Sequence, residues 1–324
     1  MGQTLSEPLT DKTTTEGNDK RVLYGASSMQ GWRTNMEDAH TTISSYGASG
    51  ASFFAVFDGH GGEAVAKYSG KKLYKKIIDT PAFERGRYRD AIRTGYYGID
   101  EDLLKDPAFE EDHSGCTAVA ALLTRNNVLY VSNAGDSRAV ISTRDGRAIP
   151  LSQDHKPKLP KEELRIRNAG GHVENGRVNG SLALSRALGD FNFKANPSLT
   201  PDKQAVTAEP DIIEHLLTDH DEFVVLACDG IWDCLSNQQV VDFIRYQLCQ
   251  HKSMGPICEE LMDYCLAEKA NMAGIGCDNM TVVIVAFLRR RTPQEWYDWM
   301  ASKPCPNLPI KKAILLAPSI EENK

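Results

Sequence analysis

The chain has 324 residues, of which 41% are hydrophobic, 8% aromatic and 25% charged, a composition that suits one large globular core or two ordinary domains. Lys plus Arg number 37 and Asp plus Glu 44, so the net charge is −7, which argues against a general nucleic-acid binder. No apolar stretch approaches the ~20 residues of a transmembrane helix, and the start, MGQTLSEPLTDKTTTEGNDK, lacks the apolar core of a secretory signal.

Residues 1–20 are polar and Thr-rich and read as a flexible arm. The opening MGQTLS fits the N-myristoylation pattern, with Gly2 exposed after Met removal and Ser6 in place. One such acyl chain would anchor only weakly and reversibly. Strand-like segments follow at 21–28, 51–58, 116–124, 128–135, 138–144, 222–229 and 279–288, each short, apolar or β-branched, and bounded by Gly, Asn or Asp. The stretch 116–143 reads as a meander whose first turn is Arg125-Asn126-Asn127. Helix-like periodicity covers Gly62–Ile78, Tyr88–Leu104, Lys161–Asn168, Gln238–Cys249 and Gly255–Met272, with Ser236 or Asn237 as N-cap of the fourth. Strands in hairpin-like groups, with helices arriving in pairs between them, predict an α+β fold of two stacked antiparallel sheets flanked by helices. One catalytic domain over 21–290 is the economical division.

Between Ser152 and Thr207 lies a long irregular piece, with Gly180 and Gly189 at bending points and Arg177, Arg186 and Lys194 giving positive charge. Loops of this length are usually functional or mobile; a solvated surface excursion is the plain alternative. Residues 291–324 read as a docking or regulatory tail, with Trp296, Trp299 and Met300 on one face of a short helix. The eight cysteines form no C-x-x-C pair, and several sit in apolar segments, where a thiol serves as a small core hydrophobe. That usage favours a reducing, intracellular compartment.

Carboxylates recur where strands end. Asp58 follows the apolar run FFAVF, Asp229 follows EFVVLAC, Asp136 follows YVSNAG, and Asp278 precedes NMTVVIV. Glu37 and Asp38 add an adjacent acidic pair, with Arg33 four residues before Glu37. A single such Asp is commonplace in turns. If these ends converge, the acids repel one another unless divalent cations lie between them. An all-oxygen donor set favours Mg²⁺ or Mn²⁺ over zinc, and no D-x-[DN]-x-[DN]-G loop points to calcium. Gly59 lets a backbone carbonyl approach a metal held by Asp58. His60 is near enough to meet a leaving group, although a lone His is more often structural. Arg33 suits two phosphate oxygens, or else a plain salt bridge to Glu37.

Metals with retained water, an arginine and a histidine suit hydrolysis at phosphorus, in which two ions share a hydroxide and stabilise in-line displacement. The chain has no C-x₅-R, no D-x-D-x-[TV], and no GD-x-H-G or GNHE motif of other phosphatase classes. The segments SSMQGWRTNMEDAH, FFAVFDGHGG, DHSGCTA, NAGDSRAV, DHKP, NGSLALSRALGD, ACDGIWDCLS and CDNMTVVIV together resemble the eukaryotic metal-dependent Ser/Thr phosphatases of type 2C, the PPM family, with fungal members closest in appearance. The likeness runs in order from about Arg21 to Leu288. It implies a central β-sandwich flanked by helices in four α-β-β-α layers, and hydrolysis of phosphoserine and phosphothreonine with Mn²⁺ or Mg²⁺. By resemblance, Asp58 bridges two metals, Asp229 and Asp278 complete one ion's ligands, and Glu37 and the Gly59 carbonyl serve the other. Asp38 orients metal-bound water, Arg33 holds the phosphate, and His60 protonates the leaving oxygen. Asp136, Asp229 and Asp233 match positions linked to a weaker third metal, and 152–207 includes the family's flap. Cys116 stands where relatives often carry Ser; no matched catalytic position is substituted. The resemblance further implies a monomer, cytoplasmic or nuclear, acting on phosphorylated proteins such as stress or cell-cycle kinases, with acylation of Gly2 as in some relatives.

Overall fold

The computed structural model describes residues 4–270 and 274–308. Its main strands are β1 (Thr4–Asn18), β2 (Val22–Arg33), β3 (Ala39–Tyr46), β4 (Ala51–Phe57), β5 (Ala118–Leu123) and β6 (Val128–Ala134). They continue with β7 (Arg138–Thr143), β8 (Ala148–Pro150), β9 (Asp211–Leu216), β10 (Asp221–Ala227) and β11 (Met280–Phe287). One sheet has the order β1-β2-β11-β10-β7-β8 and the other β9-β6-β5-β4-β3, and every pairing within them is antiparallel.

The central strands read as continuous apolar runs because both of their faces are buried. Phe54 and Val56 of β4 meet Val224 and Leu226 of β10 and Val283 and Val285 of β11 between the sheets. Their neighbours Phe53, Ala55 and Phe57 turn the other way, onto Leu73 and Ile77 of α1 (Ala64–Ile78) and Ile92 and Tyr96 of α2 (Tyr88–Lys105). A third short helix, α3 (Pro160–Asn168), lies in the flap. On the opposite side Val225, Val282 and Ile284 pack against Val240 and Ile244 of α4 (Asn237–Cys249) and Ile257 and Leu261 of α5 (Met254–Cys265). The period-two alternation of a strand therefore sorts one apolar run into two cores, giving the four α-β-β-α layers expected. Ser236 caps α4 through a reciprocal capping box with Gln239.

Four expectations need correction. Residues 4–18 are no flexible arm but the edge strand β1, held to α5 by Thr14 Oγ1 donating to Glu259 (2.6 Å), Gly255 N donating to Glu16 (2.5 Å) and a Lys12–Asp263 ion pair (2.7 Å). Its β-branched Thr run favours a strand, while its polarity suits an edge. The 116–143 stretch turns at Asn127 (φ 59°) as read, yet it is no meander: β7 pairs with β10 and β8 in the other sheet. Helix α5 ends at Cys265, short of Met272. The tail's first part, α6 (Pro293–Ala301), is integral to the domain, burying Trp296 and Met300 in the core around α4 and α5. Strands β3 and β9 were not foreseen, and Gly2 lies outside the described residues.

Candidate metal centre and active site

All the strand-end acids arrive at one end of the sandwich. Asp58 leaves β4, Asp136 leaves β6, Asp229 leaves β10, Asp278 enters β11, and Glu37 and Asp38 join β2 to β3. Ligand oxygens of Asp58, Asp136 and Asp229 lie within 4.8 Å of one another, and Asp38, Asp58 and Cys228 form a second such group. Burial, followed by the charges of Asp229, Asp38, Asp136 and Asp278, pushes the Asp58 carboxyl well above the usual range. Burial and the charges of Asp136, Asp278 and Asp233 do the same to Asp229. Asp38 is raised to about 7, chiefly by burial, although its Oδ2 accepts from Thr281 Oγ1 (2.7 Å). Its Oδ1 is buried and has no hydrogen-bond partner among the described residues. An orphaned carboxylate oxygen among mutually repelling carboxylates fits a site for hard divalent cations. Burial and the charges of Asp38, Asp58 and Asp229 push the Cys228 thiol well above its ordinary range, and its Sγ donates to Asn279 O (3.5 Å).

Residues 22–273 match the family model of Protein phosphatase 2C. The chain belongs to that family. It is 51% identical over 308 residues to "Protein phosphatase 2C homolog 2" of Schizosaccharomyces pombe, covering 94% of this chain and 83% of the relative. It is 48% identical over 338 residues to the Hypocrea jecorina protein of the same description, covering 100% and 76%. Among solved structures, a phosphatase from a pathogenic strain of Toxoplasma gondii superposes with a TM-score of 0.74 at 28% identity, covering 86% of this chain and 96% of that one. The chain is thus a protein serine/threonine phosphatase of a family that characteristically uses Mn²⁺ or Mg²⁺, and phosphoproteins are its substrate class.

Within this phosphatase 2C scaffold, Gly59 is required by contact: a Cβ there would lie 2.2 Å from the Glu37 carbonyl oxygen. The loop carrying Glu37 is tied down by Asn279, whose Oδ1 accepts from Glu37 N (2.9 Å) while its Nδ2 donates to Gln30 O and Asn35 O (2.8 and 2.9 Å). Arg33 sits at the rim, about one-third exposed, and its guanidinium meets Asp278 instead of Glu37. Asp233 lies one turn past Asp229 at the edge of the acidic end, where partial loss of water around its carboxyl and the charges of Asp136 and Asp278 raise its pKa against the pull of Lys156.

The His60 imidazole has a partner that sequence reading missed. Residues 59–60, 115–116 and 188–189 form a small three-stranded sheet with Gly115 opposite both His60 and Gly189. Across it, His60 Nε2 meets Asp190 Oδ2 at 2.7 Å. Gly115 makes this possible, since a Cβ there would lie 2.1 Å from Asp190 Oδ2 and 2.7 Å from His60 Nε2. Burial works against protonation of His60, but the Asp190 hydrogen bond and charge outweigh it and raise the pKa. Asp190 is fixed by its neighbours: Gly189 N donates to Asp100 (2.9 Å), and Lys194 pairs with the same carboxylate (2.5 Å).

The flap that delivers Asp190 is no loose excursion. Ile166, Val178, Ala187, Ala205 and Val206 give it a small core of its own. Arg186 points inward to Glu162 and Asp211, and Lys194 to Asp100, so most of the charge expected on its surface is paired inside. Two further residues were not singled out: Lys156 of DHKP, which pairs with Asp136, and Asp154, held by Nε and Nη2 of Arg138 (3.0 and 2.9 Å) beside Asp233.

Proposed function

We propose that the acidic end holds two divalent ions, Mn²⁺ or Mg²⁺, with Asp58 shared between them, Asp229 and Asp278 on one, and Glu37 and the Gly59 carbonyl on the other. When bound, such ions would supply a water made nucleophilic at neutral pH and would neutralise charge on the phosphate. Asp38, its free oxygen buried at the centre, orients the attacking water. Arg33 leaves Asp278 to clamp two phosphate oxygens. His60, whose protonated form is favoured by the Asp190 contact at Nε2, is the proton donor for the departing serine or threonine oxygen. Asp136 and Asp233, with Asp229, hold a weaker third ion. The observation that carries this reading is the approach of Asp58, Asp136 and Asp229 oxygens to within 4.8 Å, a concentration of carboxylates that divalent cations would neutralise.

Activated kinases of stress or cell-cycle signalling are the proposed substrates, met in the cytoplasm or nucleus, with Gly2 acylated for weak membrane contact. Equilibrium Mn²⁺ titration of the metal-stripped chain tests the centre. Two tight sites in the parent and loss of at least one in Asp58→Asn are expected; unchanged stoichiometry and affinity in that variant would refute the ligand assignment.

A further inference from the structure

The two ends of the sandwich carry opposite charge. The end away from the carboxylates is where β2 and β6 begin and β5 and β11 finish. A cavity of about 600 Å³ opens there, lined by Lys20, Arg21, Arg125, Arg289 and Arg290 against the single acid Asp219. Buried Leu123, Leu217 and Phe287 form its apolar base. This volume lies inside the ~300–1,000 Å³ range of ligand pockets.

Four of these cations, Lys20, Arg21, Arg289 and Arg290, are not spent on ion pairs among the described residues. The Arg21 guanidinium donates to neutral acceptors, Thr124 O (2.9 Å), Gly50 O (2.5 Å) and Ser52 Oγ (2.7 Å), while its backbone N donates to Asp19 Oδ1 (2.7 Å). Burial pulls its pKa down, the Asp19 charge opposes this, and Arg125 adds to it. Arg289 donates to Thr218 O through Nη2, while its buried Nε has no partner among the described residues. Among those residues, Lys20, Arg21, Arg289 and Arg290 make no ion pair with a carboxylate. Arg289 and Arg290 also adopt consecutive φ values of 50° and 69°, a left-handed backbone that non-glycine residues seldom share. A larger cavity of about 790 Å³, between α2, α3 and β9, also has basic residues, but it differs in this respect. There Arg93 pairs with Glu209, Arg186 with Glu162 and Asp211, and Lys203 with Asp202.

We propose that the basic pole is a binding site for a small soluble polyanion carrying two or more phosphate groups, separate from the metal centre. Arginine forks match phosphate oxygens in pairs. Lys20, Arg21, Arg289 and Arg290 against Asp219 leave an excess of positive charge that a single phosphate, at about −2 at most, does not fully neutralise, whereas a ligand with two or more phosphates does. The concave shape over an apolar base suits a compact ligand, and the net charge of −7 disfavours a nucleic-acid chain, which would be repelled over most of the surface. The site needs no metal and no turnover, so it stands or falls independently of the phosphatase chemistry.

The test is isothermal titration calorimetry on the full chain, stripped of metal by resin with no soluble chelator present. Tripolyphosphate and inositol hexakisphosphate are the probes and inorganic phosphate the comparison. Without metal the acidic end repels anions, so binding reports on the other pole. One saturable site is expected, at least tenfold tighter for tripolyphosphate than for inorganic phosphate. It should weaken at least tenfold in Arg289→Gln/Arg290→Gln and should weaken further with added salt. Lys20→Gln/Arg290→Gln, which leaves the partly buried Arg289 in place, provides a second variant should the first fail to fold. Lys161→Gln, in the larger cavity, should bind like the parent. Absence of saturable binding, equal affinity for inorganic phosphate, or affinity that survives the Arg289, Arg290 and Lys20 substitutions would each overturn the proposal.

Discussion

Asp190→Asn isolates the residue that bears on His60 from outside the metal centre. Asn keeps the size of the side chain and tolerates the left-handed backbone of Asp190 (φ 53°), so the flap should stay folded. What goes is the carboxylate charge behind a 2.7 Å hydrogen bond to an imidazole. Hydrogen bonds to charged groups contribute about 1.5–3 kcal/mol, and at ~1.36 kcal/mol per decade that is roughly 10- to 150-fold in rate. This lies within or below the ~10²–10⁴ that general-acid catalysis supplies, as befits a positioning residue. Steady-state kinetics at saturating Mn²⁺ should show that loss in kcat on a phosphothreonine peptide. On p-nitrophenyl phosphate, whose leaving group needs no proton, the change should be less than about threefold. Combined with His60→Ala, Asp190→Asn should cost little more, because both act through one proton. Gly115→Ala, whose Cβ would intrude between the two side chains, should show the same substrate split. Equal losses on both substrates, or additive losses in the double variant, would refute a role through His60.

Three other outcomes follow from the same geometry. Asp229→Asn should abolish turnover yet raise the melting temperature of the metal-free protein, because burial and neighbouring acids disfavour its charge; Mn²⁺ at about 100 times its Kd should add about 2.7 kcal/mol to the parent and little to the variant, as read by thermal denaturation. Glu162 is buried, yet Arg186 and Arg165 hold its pKa at about 2, below the ordinary 4.5. A depressed carboxyl stabilises above its unfolded pKa and loses that contribution as pH falls toward the folded value, here about 3 kcal/mol between roughly pH 4.5 and 2. Hydrogen exchange should therefore show the flap opening in that window, and Glu162→Gln should shrink the pH dependence to the part that the depressed Asp211 carboxyl contributes. Trp296→Ala should cost about 3–5 kcal/mol, since the ring is fully buried against α4 and α5; a loss below 1 kcal/mol in urea unfolding would show that α6 is not part of the domain.

The acids of the centre were legible because each is written next to the strand that carries it. An apolar run ending in Asp58 or Asp229 states both the burial and its cost, and Asp278 sits just before β11. Their convergence at one end follows once the strands stack as a sandwich. Asp190 was not legible, because it lies 130 residues from His60 and meets it only across Gly115 in a register set by three short strands. Asn279 was hidden for a similar reason, its three bonds reaching back more than 240 residues. Strand β1 carries too little apolar surface to signal itself, since an edge strand can meet its needs through backbone pairing and ion pairs with α5. The inward turn of Arg186 and Lys194 likewise depends on Glu162 and Asp100, acids brought in by other helices.

The most direct test is phosphate release from a phosphothreonine peptide by chelator-stripped protein, with Mn²⁺ or Mg²⁺ then added back. Activity should vanish on stripping, return with either ion, and stay absent in Asp229→Asn at the same metal concentration. Turnover that persists without metal, or metal that binds the acidic end and restores nothing, would contradict a catalytic metal centre at Asp58.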